Sequence, residues 1–583
     1  MVIHNMNAQQ LYKKNRRRAI LQLVLLAAII VVVNVVVSRV YLRADLTSEK
    51  RFSISKPTKD LLRNQEDILF VRIYLAGDLT PNLQRLQTAT TEMLDQFKNY
   101  AGDNIQYDVF DPFSIPEDEN QTEYLKQLEE KGILSVQFFE SATDEASVKY
   151  VFPFVSVVYK DRELIFPLID RGTMPLPLNP DSDPSVSVSL LEYKFTKAIR
   201  QLTIAEKPYV AFISGHGELN RLELNDIAAG LNELYNVAQI DLEDDSTFEI
   251  PREIKTIIIA KPIAPFSAKG KYIIDQYIMQ GGNVLWLVDP VIAEFDSLYS
   301  GNGQFMAIDR ELNIADMLAQ YGVRINGNIV QDKQCTHINV PVSKGDNFVM
   351  RPWPYNPILN NFNTENPVTK NVDALEGKFV STVDTLGVAG IDKTILISTS
   401  ALSRYLNTPA RVNFNIVDPK FAPTDAQYNK PNTPIAVLLE GNFPSAFRSI
   451  KPTAQRIHQA GYGYQDTSYM DKGKPSKQII VGDGDIIRNA VSREGQPEML
   501  GVNYIEQYIF GNKDFAMNCI EYLCDQNGLI ETRAKEVKLR PLDEQKVKEN
   551  RTQWQVINLL APLLLLYIFS GIYFFIRNRK YAG

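Results

Sequence analysis

The sequence predicts an α/β protein anchored in a membrane at both ends, and three observations carry that reading. Apolar runs at residues 19–37 and 554–576 bracket the chain. Between them, strand-like and helix-like patterns alternate. From Lys207 onward the strand-like segments are apolar at nearly every position, as in a parallel sheet covered by helices on both faces.

The first apolar run follows Lys13, Lys14, Arg16, Arg17 and Arg18, and at 1.5 Å per residue it reaches across a hydrocarbon layer about 30 Å thick. Ser38-Arg39-Val40-Tyr41 follows it directly, with no small-x-small cleavage site, so residues 19–42 read as a retained span rather than a signal peptide. The second run opens with Trp554, includes Pro562 and Gly571, carries no charge, and ends before Arg577, Arg579 and Lys580. Both basic flanks lie outside the central body. Positive-inside asymmetry therefore puts residues 1–18 and 577–583 in the cytoplasm and the body on the far side of the bilayer.

The first soluble segment, 45–205, opens with a helix at 57–64, marked by Ser55 as N-cap and Pro57 in the first turn. A strand at 68–76, an amphipathic helix at 82–100 and a strand at 105–110 make a βαβ unit. A helix at 121–131, a strand at 134–139, a hairpin of 149–159 with 163–169, and a helix at 189–202 follow. The order β-α-β-α-β-β-α matches a thioredoxin-like layout. No Cys-x-x-Cys occurs in it, which excludes thiol redox chemistry.

The second segment, 206–530, has strands at 209–214, 237–242, 256–260 and 284–288 and helices at 219–235 and 267–280. Further strands are expected at 394–398, 435–440 and 478–481, with 300–430, rich in Asn, Pro and Asp, as a long excursion from the sheet. A charged stretch at 531–553 reads as a solvated stalk leading to the second span.

Ligands of open parallel sheets sit at the carboxyl ends of the strands. Three polar clusters fall there: Gly215-His216-Gly217-Glu218, Asp289, and the pair Asp483 and Asp485 within Gly482-Asp483-Gly484-Asp485. If their strands are neighbours, the clusters converge on one crevice able to hold a ligand. The alternative assigns them to construction: glycines for tight turns, Glu218 at a helix N-terminus, and Asp485 as cap of a helix starting at Ile486.

Other chemistry finds little support. Sixty-two Lys and Arg stand against 69 Asp and Glu, a net charge of −7 without a long basic tract, so nucleic acid is not an expected partner. No Gly-x-nucleophile-x-Gly elbow follows any strand, no phosphate-binding Gly-x-x-x-x-Gly-Lys-Ser/Thr loop is present, and no paired Cys/His motif marks a metal; no catalytic residue, metal or cofactor is expected. The three cysteines include Cys519 and Cys524, whose spacing on a helix is unsuited to a disulfide.

Six motifs in order, DLTSEKRFSIS at 45–55, ISGHGE at 213–218, GGNVLWLVDP at 281–290, VGDGDIIRN at 481–489, GNKDFAMNCIEYLC at 511–524 and the closing segment 558–580, resemble the gliding-motility-associated ABC transporter auxiliary subunits of Bacteroidota, the GldG family. The resemblance implies a class I glutamine-amidotransferase-like, flavodoxin-like body that has lost its catalytic cysteine. It also implies a bacterial inner-membrane location with a periplasmic body, a permease and a separate cytoplasmic ATPase as partners, and a non-enzymatic auxiliary or substrate-binding role. The competing expectation is a membrane-anchored hydrolase or carbohydrate-processing enzyme using His216, Glu218 and the aspartates.

Overall fold

A computed structural model describes residues 20–29, 31–32, 54–115, 119–140, 147–169, 184–204, 206–300, 303–341, 348–449, 469–525, 528–534 and 544–581. In the N-terminal unit, Met1–Ser55, the described residues include an apolar helix, α1 (Ile20–Ile29), with exposed side chains. Of the rest of the predicted first span, only residues 31–32, also helical, are described.

In the unit Lys56–Gly583, helix α2 (Lys56–Arg63) leads into strand β1 (Leu69–Ile73), helix α3 (Pro81–Ala101) and strand β2 (Ile105–Val109). Thr80 starts α3 by accepting the Leu83 N–H on its hydroxyl, and Pro81 supplies a pre-set φ at the first turn. Helix α4 (Glu119–Glu130) precedes strands β3 (Val136–Glu140), β4 (Ser147–Val151), β5 (Phe154–Tyr159) and β6 (Arg162–Pro167). The first sheet runs β2-β1-β5-β6, with β1 and β2 parallel and the other pairs antiparallel. The single strand expected at 149–159 is in fact two. Pro153, which has no N–H for a ladder, separates them, and β4 pairs with β3 in a ribbon of its own.

Helix α5 (Ser185–Thr203) covers this sheet, with Phe195 edge-on to both Phe97 and Phe166. The main sheet then begins: β7 (Tyr209–Ser214), helix α6 (Asn225–Leu234), β8 (Asn236–Asp241), β9 (Ile254–Ala260), helix α7 (Ala268–Met279) and β10 (Asn283–Leu287). It has eight strands in the order 361–362, 391–398, 434–444, 472–481, β10, β9, β7, β8. From Lys472–Val481 to β8 neighbouring strands are parallel; the other three run antiparallel, so the sheet is mixed rather than wholly parallel.

Alternate residues explain the continuous apolar strands. Val210, Phe212, Ile258 and Leu285 face one core with α6 and helix Asn512–Cys524, whereas Ala211, Ile213, Ile257 and Trp286 face another with α7. The excursion folds back on a third core around Trp353, Tyr355 and Phe379. Helix α6 begins six residues later than expected because the Asn220 carboxamide accepts the Leu222 and Glu223 N–H groups and closes a turn first.

The expected charged stalk starts within the folded body. Thr532 and Arg533 are buried, and the Arg533 guanidinium donates to the Lys370 and Asn371 carbonyls while lying over the Tyr193 ring. Residues 544–553 belong to one helix with the second apolar run, Glu544–Tyr581, in which Gln555–Arg579 is long and apolar enough to cross a bilayer.

Candidate functional site

The predicted clusters do lie at the carboxyl edge of the parallel strands, but as two sites. Strand β10 adjoins Lys472–Val481, bringing Asp289 to Asp483 and Asp485, whereas β9 intervenes between β10 and β7 and holds the His216 loop apart.

At the first site the centre is a lysine that the predicted set did not include. Lys261 follows β9, buried at 3% exposure, with its ammonium 2.7 Å from Asp485 Oδ2, 3.3 Å from Asp289 Oδ2 and 3.2 Å from Glu294 Oε1. Asp289 Oδ1 accepts the Gly484 N–H at 2.6 Å. Asp483, fully buried, accepts the Lys378 and Asp485 N–H groups at 2.9 and 2.8 Å. Arg488 bridges Asp485 and Glu223. Asp485 opens a short 3-10 turn, Asp485–Ile487, and its carboxylate is spent on Lys261 and Arg488 instead of capping a helix.

The titrations follow from this packing. Burial, then the Asp485 charge, lifts Asp289 to about 6 against the pull of Lys261. Burial and the charges of Asp289 and Asp485 hold Asp483 well above the usual carboxylate range. Burial would raise Asp485 too, but Lys261 and Lys378 outweigh it and keep its value low. The Lys261 ammonium is itself held in the charged form by Asp289, Asp485 and Glu294 against its own desolvation. The positive charge that a cluster of acids demands is thus supplied by the chain itself. Among the described residues, no group of three or more His, Cys, Asp or Glu is arranged to hold a metal ion.

Gly484 is dictated by this lysine: a Cβ there would lie 2.7 Å from Lys261 Cβ and Cγ. Lys261 itself has φ 53°, a left-handed conformation unusual for a side-chain-bearing residue.

At the second site, the His216 ring stacks on Phe266 with centroids 3.8 Å apart. Its Nδ1 is 3.2 Å from Glu218 Oε1 and its Nε2 3.0 Å from Glu243 Oε1, and Glu218 also accepts the His216 N–H. Ser267 donates to Glu243 and caps α7 by accepting the Gly270 N–H. Glu218 is therefore a partner of the histidine, seven residues short of the helix whose N-terminus it was expected to favour. Gly215 and Gly217 take φ of +116° and +71°, and a Cβ on Gly217 would fall 2.5 Å from Ile263 Cγ1. The loop docks there because the His216 carbonyl accepts the Ile263 and Ala264 N–H groups.

Sequence reasoning missed Lys261, Glu243, Glu294 and Arg488. A signal for the first was present: a lone lysine directly after the apolar run Thr256–Ala260 stands at a carboxyl strand end. The Cys335 segment offers no nucleophile, since burial pushes that thiol up to about 12 and His337 is engaged by Glu506.

A mixed sheet with buried ion-pair clusters at its strand ends, on one chain with a bilayer-length apolar helix, defines a membrane-associated α/β protein. More particularly, the chain belongs to the family described as ABC-type uncharacterized transport system, whose model matches residues 207–519 and which comprises auxiliary components of such transporters. Residues 48–158 match a domain of unknown function, DUF7088. A protein of Borreliella burgdorferi described as uncharacterized is 22% identical over 487 residues, covering 80% of this chain and 86% of its own. Among solved structures, the mmIFT52 N-terminal domain aligns with a TM-score of 0.29 and 13% identity over 54% of this chain and 96% of that one.

Proposed function

We propose that this protein is a non-enzymatic auxiliary or substrate-binding subunit of an ABC transporter, working with a permease and a separate cytoplasmic ATPase. The observation that carries the proposal is the pairing, on one chain, of the transport-family body at 207–519 with the apolar helix Gln555–Arg579. In this reading both termini are cytoplasmic, the body is periplasmic, and the predicted spans at 19–42 and 554–576 dock on permease helices in the inner membrane. Domains at 45–205, thioredoxin-like, and 206–530, glutamine-amidotransferase-like, accord with the order β2-β1-β5-β6 and with the parallel strands covered on both faces. A link to gliding rests on the motif resemblance alone.

The sites favour a binding or structural role over hydrolysis. Both His216 ring nitrogens are engaged by carboxylates, and the Asp289, Asp483 and Asp485 cluster is centred on Lys261. A ligand at this edge would meet Glu243 and Glu294, the most exposed carboxylates of the two clusters. Purification of the full chain in mild detergent from its native membrane tests the proposal. Recovery of a permease and an ATPase in constant ratio is the expected result, and a lone chain under conditions that preserve other transporter complexes overturns it.

A further inference from the structure

The opposite edge of the main sheet, where β9 and β10 begin, carries a solvent-open cavity of about 550 Å³. That is the size of a small-molecule site. Its carboxylates are already committed: Glu440 accepts from the Tyr522 hydroxyl at 2.9 Å and lies 3.6 Å from the Lys477 ammonium, and Asp525 accepts the Ile530 N–H at 2.9 Å. Its cations, apart from that lysine, are not. Among the described residues, Arg252, Lys255 and Lys474 line the cavity without an ion-pair partner.

Two helices end here, and lysines are often recruited to neutralise helix carbonyl ends. Four of their terminal carbonyls are otherwise satisfied. The Gln276, Tyr277 and Ile278 carbonyls of α7 accept the N–H groups of Gln280, Gly282 and Gly281, and the Leu523 carbonyl of the other helix accepts the Asn283 carboxamide. A further donor remains: Ser476, 4% exposed and part of the lining, has a buried hydroxyl with no hydrogen-bond partner among the described residues. A buried polar group left unmatched is costly, and a ligand oxygen is the simplest match. Ile250, Tyr277 and Met470 give the lining an apolar side.

We propose that this cavity binds an organic phosphate, its anionic head between Arg252, Lys255, Lys474 and the Ser476 hydroxyl and its apolar part against Tyr277 and Met470. The site is separate from the carboxyl-edge clusters. Phenyl phosphate titrated calorimetrically into the full-length chain in detergent micelles tests it. One saturable site is expected, weakened about tenfold or more by Lys474→Glu or Arg252→Glu, a loss of about 1.4 kcal/mol or more. Both side chains are exposed, so the unliganded unfolding midpoint should stay where it is. Ser476→Ala should weaken binding several-fold, inorganic phosphate should bind more weakly than phenyl phosphate, and Glu294→Gln at the other edge should leave the affinity unchanged. Absence of saturable binding overturns the proposal, as does equal affinity in the Arg252→Glu/Lys474→Glu double variant or an equal response to uncharged benzyl alcohol.

Discussion

Lys261 is the residue on which the carboxyl-edge cluster depends. Removing one partner of a buried ion network leaves the others desolvated and uncompensated, a loss of about 3–5 kcal/mol. Lys261→Met should therefore lower the unfolding free energy of the full chain by about that amount, read from the fluorescence of Trp286 and Trp353, both fully buried. A change below about 1 kcal/mol, the size of an exposed ion pair, would show that water reaches the cluster. Asp289 gives the same site a pH signature. Its carboxyl titrates near 6 in the folded chain and near 4 when unfolded, so the folded state holds a proton between those values that the unfolded state has released. Its contribution is complete below about pH 4, shrinks as pH rises, and is gone above about 6. The stability of wild type relative to Asp289→Asn should fall by about 2–3 kcal/mol between pH 4 and 7, and a flat difference would refute the assignment. The aspartates were legible in the sequence because they follow apolar strands. Their neutralisation was not, because Lys261, Asp289 and Asp485 meet only once the sheet order is set.

Helix α7 shows how an element organises distant chain. Asp275, fully buried, accepts from the Tyr321 hydroxyl, the Gln276 side chain, the Ser445 hydroxyl and the Ala446 N–H, all within 2.9 Å, and its pKa is raised by burial despite these donors. The neighbouring Gln276 exchanges two hydrogen bonds with the Met470 backbone. Two adjacent helical residues thus hold the chain at 445–446 and at 470. Asp275→Ala strands several buried donors, at about 1–3 kcal/mol each before relaxation. Amide exchange at Ala446 should accelerate strongly, while Met470, held by Gln276, stays protected; equal loss at both would show the clamp acts as one unit. Strands and helices with clear periodicity were legible from sequence, including β7, β9, α7 and β10 within a residue or two. The start of α6 and the division of 149–159 depended on single residues, Asn220 and Pro153, whose local bonding overrides the periodic pattern. Strand direction was not legible either, since an apolar strand buried on both faces reads alike in parallel and antiparallel pairing.

At the scale of the whole molecule, the arrangement across the bilayer decides which partners each surface can meet. The helix Glu544–Tyr581 has 38 residues, about 57 Å at 1.5 Å per residue, so it extends well beyond a hydrocarbon layer about 30 Å thick. Its charged beginning is the end nearer the body in sequence, and Arg577 and Arg579 close its far end. Because cytoplasmic flanks carry the excess of Lys and Arg, those arginines should face the cytoplasm and the body the other side. The native thiols leave a quiet background for a labelling test: Cys519 and Cys524 are buried, and the half-buried Cys335 thiol stays protonated because burial raises it to about 12. Tyr504 is 67% exposed on the body, so a Tyr504→Cys variant should react with a membrane-impermeant maleimide in sealed spheroplasts. Arg579→Cys should react only after permeabilisation. The reverse pattern would place the body in the cytoplasm, on the side of the proposed ATPase, and would leave the cavity and both carboxyl-edge sites open to cytoplasmic ligands instead.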